Sequence, residues 1–442
     1  MSQQIEYQKR VAVRHDVDVF IAGGGPAGVA AALVAARQGR KVFLAEGHSC
    51  LGGMGTAGLV PVFMMFGDGV NFLADGIGRE VREELSKEKG PNFPGGDNSI
   101  PAELLKRVYD RLLLAAGVEF SFHTQVVDVL HDGGVVQAAI CNAKSGFFAV
   151  KAKVFIDCTG DGDLAAWAGA PYEKGDTDGS MMPGTLCSVW TDIDVDRFRE
   201  SGVRVQETLM KVFAEDKLFT VNDPHHPGMF RVGEHIMGGN IGHAFGVDAT
   251  DERSLTKFLI EGRQRLPEFE AFYKKYIPGY EKMVLVQTGS LLGIRESRRV
   301  QGDYVLNVDD FIARAVFADE IGRYCYPVDI HPSKPDTTKY AEFEEEFRKT
   351  LRYGKGESYG IPYRCLTPRG MDNLLVAGRC ISSDRKIQGS IRVMPGCYIT
   401  GQAAGMAAAI AIEQQTTTRG FAVAELQRRL LGMGAFLPNA AC

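Results

Sequence analysis

The first strongly apolar stretch of the chain predicts a β-strand that turns directly into a helix. Residues 17–22 read Val-Asp-Val-Phe-Ile-Ala, glycines follow, and an alanine-rich segment extends from Val29 to Arg37. Within the turn, Gly23, Gly25 and Gly28 have the G-x-G-x-x-G spacing. The first glycine permits the sharp turn, the second lets a pyrophosphate approach the backbone, and the third lets helix and strand pack closely. The pattern therefore predicts a dinucleotide-binding βαβ unit.

A second apolar run, residues 41–45, ends in an acidic residue, Glu46, 18 positions after Gly28. A carboxylate at this position accepts hydrogen bonds from a ribose diol. The glycine-rich segment that follows, residues 47–58, cannot form a regular helix or strand. We interpret it as a second backbone cradle that continues along the same ligand, with a flexible loop as the alternative.

The middle of the first domain reads as two amphipathic helices and a run of strands. Helices are predicted over 75–89 and 101–116, where apolar residues recur at helical spacing. Strands are predicted over 118–122, 125–130, 135–141, 147–150 and 154–158, which together indicate a β-meander that returns to the main sheet. The last strand enters Thr159-Gly160-Asp161-Gly162-Asp163, a glycine turn that we expect to meet a ligand.

A change of composition divides the chain. From about residue 170 to residue 364, aromatic residues, histidines and prolines become frequent and no glycine fingerprint recurs. The composition of the first domain then returns with a buried strand at 374–377 and a helix of small residues at 401–412. We predict an α/β fold: a Rossmann-like nucleotide-binding domain with a β-meander, and an inserted α+β substrate or cap domain. The predicted parts are 15–170, the insertion 171–364, the returning part 365–425 and a C-terminal tail 426–442.

Charge and composition exclude several classes of function. The net charge is −5 over 442 residues, and no run of Lys or Arg forms a nucleic-acid patch. The first sixteen residues lack the apolar core of a signal peptide, and no apolar run reaches the ~20 residues that span a bilayer. The nine cysteines form no Cys-x-x-Cys pair, which excludes zinc ribbons and iron–sulfur ligation. We therefore expect a cytoplasmic protein with reduced thiols, no nucleic-acid partner and no membrane partner.

Taken together, these stretches resemble the flavin-dependent oxidoreductases of the glutathione-reductase-like and fumarate-reductase-like superfamily. The most similar group is the bacterial FAD-dependent oxidoreductase family, which is distantly similar to thiazole-biosynthesis flavoproteins and heterodisulfide-reductase flavin subunits. The residues that carry the resemblance are 23–28 with Glu46 and Gly52-Gly53, 158–163, 293–299, 361–366 and 373–405.

The resemblance implies FAD as the cofactor. Glu46 would hold the adenosine ribose, Asp161 and Asp163 would lie near the pyrophosphate and ribityl chain, and the helix after Pro395 would lie beside the isoalloxazine. The amides at that helix end would stabilise negative charge on the reduced ring. The implied cofactor-binding residues are Gly23, Gly25, Pro26, Ala27, Gly28, Glu46, Gly52, Gly53, Val127, Thr159, Gly160, Asp161, Asp163, Gly378, Arg379, Arg392, Val393 and Gly396.

Catalytic candidates lie in the predicted insertion. Arg295 and Arg298 are three residues apart, so on a helix they would share a face and present forked donors to a carboxylate. Tyr304 follows shortly after them and is a further candidate. The alternative is a surface network in which Glu296 and Asp303 pair the arginines.

Four histidines, at positions 225, 226, 235 and 243, lie in a loop-rich region that would cap the flavin. One of them, with His235 as our candidate, would accept a proton, because imidazole titrates near neutral pH. The histidines have no regular ligand spacing, so no metal site is predicted. His48 and Cys50 lie beside the second cradle, but the local pattern of covalently flavinylated relatives is absent, and we expect non-covalent FAD. Cys380 and Cys397 are expected to be buried.

These observations predict an FAD-dependent oxidoreductase that transfers a hydride between flavin N5 and a small organic substrate, including carboxylate-bearing ones, between the two domains. Two alternatives stay open: a flavin electron-transfer subunit with a partner redox protein, and an NAD-using enzyme similar to thiazole synthases. The sequence does not define the substrate, the direction of reaction, the electron acceptor or whether the chain forms a homo-oligomer.

Overall fold

The computed structural model describes residues 5–335 and 337–440. Its strands are β1 Val13–Ala22, β2 Val42–Ala45, β3 Glu119–Ser121, β4 Gln125–Asp132, β5 Val135–Ala143, β6 Gly146–Asp157, β7 Tyr172–Lys174, β8 Gly184–Thr185, β9 Ser188–Thr191, β10 Gly228–Arg231, β11 Met237–Asn240, β12 His243–Ala244, β13 Val284–Thr288, β14 Arg298–Val300, β15 Glu320–Tyr324, β16 Tyr359–Pro362 and β17 Leu374–Val376. Its α-helices are α1 Pro26–Arg37, α2 Ile77–Lys89, α3 Ala102–Ala115, α4 Asp163–Trp167, α5 Val195–Ser201, α6 Val205–Glu215, α7 Glu252–Tyr276, α8 Val308–Ala313, α9 Thr337–Lys349, α10 Arg385–Ile391, α11 Met394–Glu413 and α12 Val423–Gly432.

A seven-stranded sheet of order β3-β2-β1-β6-β5-β4, with β17 also paired to β6, forms the centre of the α/β part. Strands β3, β2, β1, β6 and β17 pair in parallel with one another, whereas β5 pairs antiparallel with both β6 and β4. The first half of β6 pairs with β5, and its second half pairs with β17. The predicted Rossmann-like sheet with a β-meander is thus confirmed.

Two details of the strand prediction were wrong. Residues 147–150 and 154–158 belong to one strand, β6, because the intervening Lys-Ala-Lys stays paired with β1 while its lysines remain accessible. The segment at 118–122 is not part of the meander. Its strand, β3, adds in parallel to β2 at the far edge of the sheet, with Leu44 opposite Phe120.

Two helices of small residues cover the sheet close to the first glycine turn. α1 and α11 pack so closely that a side chain at Gly401 or Gly405 would meet the backbone of α1 at Ala27 or Ala31. α11 comes from the far end of the chain. This contact places the N-terminus of α11 next to the N-terminus of α1. The last part of the chain therefore packs against the first glycine turn's helix, while the predicted domain division stays a prediction.

The middle of the chain forms a second hydrophobic cluster. A four-stranded antiparallel sheet of order β10-β11-β9-β13 packs with α7 around Trp190, Phe272 and Tyr280. Buried residues from Val300 onward, such as Ile321, belong instead to the cluster of the seven-stranded sheet. The predicted boundaries at residues 170 and 364 remain predictions.

Eight cysteines of the described chain are buried free thiols, including Cys380 and Cys397 as expected. In the part of the chain that the structure describes, no helix has both the length and the apolarity to cross a membrane.

Candidate active site

A cavity of about 1020 Å³ extends along the carboxyl ends of the parallel strands. This volume is at the upper end of the ~300–1,000 Å³ that small-molecule pockets occupy. Its walls come from both ends of the chain and from the middle. One end is lined by Glu46, His48 and Val126, the centre by Gly25, Asp161 and Arg379, and the other end by Arg295, Tyr326, Asp329, His331, Arg392 and Met394.

The first glycine turn has the geometry that its sequence predicts. Gly23 has a φ of +94°, and a Cβ at this position would lie 2.6 Å from the Cys158 carbonyl oxygen. A Cβ at Gly28 would collide with the Gly23 carbonyl oxygen. Gly25 lines the cavity, and a Cβ built there meets nothing within 4 Å. Two of the glycines therefore allow close packing of strand and helix, while the third leaves open space beside a ligand.

Two long helices begin at the cavity without a side-chain cap. α1 starts after Gly25 and α11 after Val393, and neither N-cap residue accepts a first-turn amide through a side chain. Unpaired amides and the helix dipole favour negative charge at such ends. The cavity is thus lined by two anion-compatible helix ends, one near its centre and one near the Arg295 end.

Glu46 is buried at the opposite end of the cavity. Its carboxylate accepts hydrogen bonds from the backbone amides of Gly24 (2.7 Å) and His48 (2.8 Å). These bonds fix the carboxylate while each oxygen keeps a further lone pair for a ligand hydroxyl. Val126, and not the predicted Val127, lines this end, because alternate residues of β4 face opposite sides and Val127 is accessible to solvent.

The Thr159–Asp163 turn is held by arginines from distant segments. Arg379 donates to the Gly160 carbonyl oxygen (2.9 Å) and to Asp161 (2.6 Å). Arg298 donates to Asp163 (2.6 Å) and the Asp161 carbonyl oxygen (3.0 Å). Burial, together with the neighbouring carboxylates of Asp161 and Asp157, raises the pKa of Asp163 to about 6. Several carboxylates lie close together in this turn, and the two arginines hold the turn in place and offset part of its negative charge.

The structure separates the two arginines that were expected to act together. Residues 294–297 have no regular secondary structure and Arg298 begins β14, so the expected helix is absent at this place in the described chain. Arg298 does not line the cavity, because it points to the Asp163 turn. The expectation that Arg295 and Arg298 share a helix face was therefore wrong.

Arg295 reaches the cavity and is 7% exposed. It donates to the Pro183 carbonyl (2.9 Å), the Thr185 hydroxyl (2.9 Å) and the Asn240 amide oxygen (3.3 Å). Within the described residues, no carboxylate lies within 4.0 Å of its guanidinium, so all of its hydrogen-bond acceptors are neutral. Burial, and then Arg392, lowers the pKa of Arg295 to about 10. The guanidinium stays charged at neutral pH and has no anionic partner.

Three histidines converge at the same end of the cavity. One nitrogen from each of His225, His243 and His331 lies within 4.8 Å of the other two. Asp223 accepts from Nδ1 of His243 (2.8 Å), and Asp329 accepts from Nε2 of His331 (3.2 Å). Burial lowers the pKa of all three imidazoles, to about 4 for His225, so the rings are neutral at pH 7.

Two of the proposed catalytic residues lie away from the cavity. Tyr304 donates to the carboxylate of Asp310 (2.9 Å), and burial followed by that carboxylate raises its pKa to about 12. His235 is exposed, and its ring contacts the Ile193 carbonyl oxygen (3.3 Å). Both assignments are corrected by the geometry, since neither side chain lines the cavity.

The remaining predicted residues divide into lining and supporting positions. Gly28, Gly52 and Gly396 support the turns by close packing and do not line the cavity. His48 lines it, whereas Cys50 is buried beside Thr56. The predicted residues that do line it are Gly23, Gly25, Pro26, Ala27, Glu46, Gly53, Thr159, Gly160, Asp161, Asp163, Gly378, Arg379, Arg392, Val393 and Arg295.

Sequence reasoning missed the segment that contributes Tyr326, Asp329 and His331 to the cavity. Asp329 is ionised: although burial opposes it, His331 and Arg392 hold the pKa of the carboxyl far below its usual range. A signal was present in the sequence, since Asp329 and His331 are two apart and lie between Pro327 and Pro332.

The residues along the cavity fit FAD. The acid at one end suits a ribose, the glycine turn and the α1 N-terminus suit a pyrophosphate, and the α11 N-terminus suits the anionic edge of a reduced flavin ring. The Arg379–Asp161 pair lies between them.

Comparison with known proteins agrees with this fit. The family model described as "FAD dependent oxidoreductase" matches residues 18–430. The chain is 31% identical over 190 residues to a thiamine thiazole synthase of Methanococcus aeolicus, covering 40% of this chain and 66% of that protein. It is 26% identical over 203 residues to a digeranylgeranylglycerophospholipid reductase of Methanosphaerula palustris, covering 42% of this chain and 48% of that protein. The chain thus spans less than two thirds of either curated relative.

Solved structures also align with most of the chain. A geranylgeranyl bacteriochlorophyll reductase-like protein from Thermoplasma acidophilum aligns at 14% identity and a TM-score of 0.44, covering 95% of this chain and 83% of that one. L-Proline dehydrogenase from P. horikoshii aligns at 12% identity and a TM-score of 0.44, covering 95% of this chain and 99% of that one. The assignment of this chain to a protein family rests on the family model that matches residues 18–430.

Proposed function

The chain belongs to the FAD-dependent oxidoreductase family, and from this premise we propose that it oxidises or reduces a small organic substrate that carries a carboxylate. When bound, FAD supplies two-electron chemistry by exchanging a hydride at N5. The substrate would occupy the end of the cavity lined by Arg295, between the α/β part and the middle of the chain. Arg295 would bind the carboxylate and orient the substrate toward the cofactor.

The observation that carries this proposal is that the buried guanidinium of Arg295 forms no ion pair within 4.0 Å in the described residues and donates only to neutral acceptors. Keeping a buried guanidinium among neutral acceptors costs solvation free energy, which an incoming anion restores. The side chain is held by Pro183, Thr185 and Asn240, so its orientation is set before the substrate binds. A planar guanidinium binds a carboxylate through two parallel hydrogen bonds. A carboxylate is therefore the substrate group that the site fits best.

The cofactor would be held by residues from both ends of the chain. We assign the adenosine ribose to Glu46, the pyrophosphate to the turn at Gly25 and the α1 N-terminus, and the flavin ring to the segment Arg392–Met394. Residues 159–161 and Arg379 would line the path between them. These roles extend the family assignment, because they match each part of the cofactor with named residues of this chain.

Apolar side chains also line the cavity. Phe63, Met64, Phe230, Leu292 and Ile294 all line it. Apolar walls exclude water, which strengthens the charge interaction between Arg295 and a carboxylate. They also shield a hydride donor from competing reactions with solvent.

The proposal is tested by anaerobic reduction of the FAD-loaded protein. A panel of 2-hydroxy acids and 2-amino acids is compared with the corresponding amides, and loss of the flavin absorbance near 450 nm is followed. A hydrogen-bonded charge interaction contributes about 1.5–3 kcal/mol, so Arg295→Met should lower the reduction efficiency by about 10–150-fold for the acid that works. Arg295→Lys should retain part of it, because it keeps the charge.

Arg364→Met is the matched control, since Arg364 pairs with Asp319 at the surface and does not line the cavity. Its reduction rates should equal those of the unmodified protein. If acids and amides reduce the flavin equally well, or if Arg295→Met changes nothing, Arg295 is not the anchor and the substrate is not selected by a carboxylate.

A further inference from the structure

We propose that His225, His243 and His331 bind a divalent transition-metal ion at the cavity end that contains Arg295. The site is separate from the residues assigned to FAD, and the inference does not rest on the identity of the substrate. His225 and His331 line the cavity, so an ion held by the three imidazoles would face it.

Two of the imidazole rings are hydrogen-bonded to carboxylates on the side away from the other histidines. Asp223 accepts a hydrogen bond from Nδ1 of His243 (2.8 Å), and Asp329 accepts hydrogen bonds from Nε2 of His331 (3.2 Å) and from Arg392 (2.9 Å). An ionised carboxylate only accepts hydrogen bonds. His243 must therefore carry its proton on Nδ1, and His331 must carry its proton on Nε2.

This assignment fixes where the lone pairs point. The other nitrogens, Nε2 of His243 and Nδ1 of His331, are then both unprotonated, and they face each other at 3.0 Å. Two lone pairs at that distance repel unless a cation lies beside both of them. Carboxylate–histidine pairs whose free nitrogens converge are the arrangement that orients ligands at protein metal sites.

The distance suits a metal ion. With metal–nitrogen bonds of about 2.0–2.1 Å, a nitrogen separation of 3.0 Å subtends about 90–100° at the metal, between octahedral and tetrahedral angles. His225 supplies the third nitrogen, within 4.8 Å of the other two. An inward movement of this ring, which lies on the loop before β10, would complete the set.

The donor set selects the class of ion. Imidazole suits zinc, copper, nickel and iron, whereas magnesium and calcium prefer oxygen ligands. Three protein ligands leave at least one coordination position open, as catalytic sites do, and here it would face the cavity. The ion could bind an oxygen atom of a substrate whose carboxylate lies on Arg295.

The surrounding charges are balanced before a metal binds. Two carboxylates, Asp223 and Asp329, lie beside the rings, and two guanidinium groups, those of Arg392 and Arg295, lie at the same end of the cavity. A divalent ion would leave the site with two positive charges, one of which an anionic substrate would neutralise.

The topology explains why no sequence pattern indicates this site. His225 precedes β10, His243 begins β12 and His331 follows β15, so the ligands come from three separated segments. No short motif contains two of them.

Cobalt titration of the FAD-loaded full chain, after removal of metals with a chelator, tests the inference. We expect one Co²⁺ per chain with visible d–d absorption, displaced by Zn²⁺. His331→Gln and His225→Ala should lose this binding, and Asp223→Asn should weaken it by about 10–100-fold. His235→Gln is the matched control, because His235 is exposed and outside the cluster, and it should bind Co²⁺ normally.

The flavin content of each sample separates this inference from the proposed function. Full FAD content in the variants shows that they are folded. A protein with full FAD content that binds no Co²⁺, or in which His331→Gln and His225→Ala bind it as well as the unmodified chain, overturns the metal site and leaves the flavin chemistry intact. The metal site is equally overturned if the histidine pair holds a shared proton and excludes Co²⁺.

Discussion

Two glycines of the first turn, three residues apart, should respond in opposite ways to the same added methyl group. A Cβ at Gly28 would collide with the Gly23 carbonyl oxygen and lie 3.3 Å from the Cys158 side chain. A Cβ at Gly25 meets no atom within 4 Å and enters the cavity. Gly25 has a φ of −66°, which alanine adopts without strain. Gly28→Ala should therefore damage the fold, and Gly25→Ala should damage only cofactor binding.

The loss of stability for Gly28→Ala can be worked from the clash. Overpacking costs about 1–3 kcal/mol, and the upper end applies here because the obstacle is backbone that strand and helix both hold in place. An unfolding entropy of about 2.1 cal/mol/K per residue gives about 0.9 kcal/mol/K for 442 residues. The thermal midpoint should fall by about 3 °C for 3 kcal/mol if the chain unfolds as one unit.

The loss of cofactor affinity for Gly25→Ala follows from the same range of energies. If a pyrophosphate contacts the backbone at Gly25, a methyl group there displaces it. The loss of binding free energy is then about 1–3 kcal/mol, which raises Kd by about 5–150-fold. The stability of the FAD-free protein should not change, since no protein atom is displaced.

The assay measures thermal midpoints of FAD-free protein and FAD binding by flavin fluorescence quenching. Gly96→Ala is the matched control, because Gly96 is an exposed loop residue with nothing within 4 Å of an added Cβ. It should match the unmodified protein in both measurements. Unchanged FAD affinity in Gly25→Ala would refute the placement of the pyrophosphate, and unchanged stability in Gly28→Ala would refute the packing argument.

Three further substitutions test other parts of the site. Tyr304→Phe should keep the turnover of the unmodified protein and lose about 1 kcal/mol of stability, because the Tyr304 hydroxyl donates to Asp310 and does not line the cavity; a loss of turnover would show that Tyr304 takes part in the reaction. Arg298→Gln should lower the thermal midpoint but leave KM unchanged, since Arg298 pairs with Asp163 and does not itself line the cavity; a raised KM would contradict this. The pKa of Asp163 is raised to about 6, so the folded state keeps a proton that the unfolded state has lost, and stability falls as pH rises from about 4 to 6. Thermal midpoints of Asp163→Asn should fall less over that range, and an identical pH profile would show that this carboxyl does not titrate there.

The sequence predicted those features that depend on short-range pattern. The strand, glycine turn and helix around Gly23 are local, and each glycine is required by contacts within the same βαβ unit. The sequence also predicted that the chain returns to the first domain near Leu374, because the composition there becomes similar to that of the first domain. The small residues of α11 then allow its close contact with α1. These elements define the cofactor half of the cavity.

The reaction end could not be predicted in the same way, because its residues meet only through tertiary structure. Arg295 and Arg298 have helical spacing, yet Arg295 lies in an irregular segment and lines the cavity, whereas Arg298 begins β14 and pairs with Asp163. His331 is 88 residues from its partner His243, and no local pattern relates them. Spacing rules therefore identified Arg295 but assigned a partner to it wrongly, and they did not detect the histidine cluster.

The most direct test of the account is the visible spectrum of the purified protein before and after denaturation. We expect flavin absorbance bands in the native protein and, because the sequence lacks the pattern of covalently flavinylated relatives, release of one FAD per chain into the supernatant. A colourless protein that cannot be reconstituted with FAD would contradict the central claim that this cavity is an FAD site.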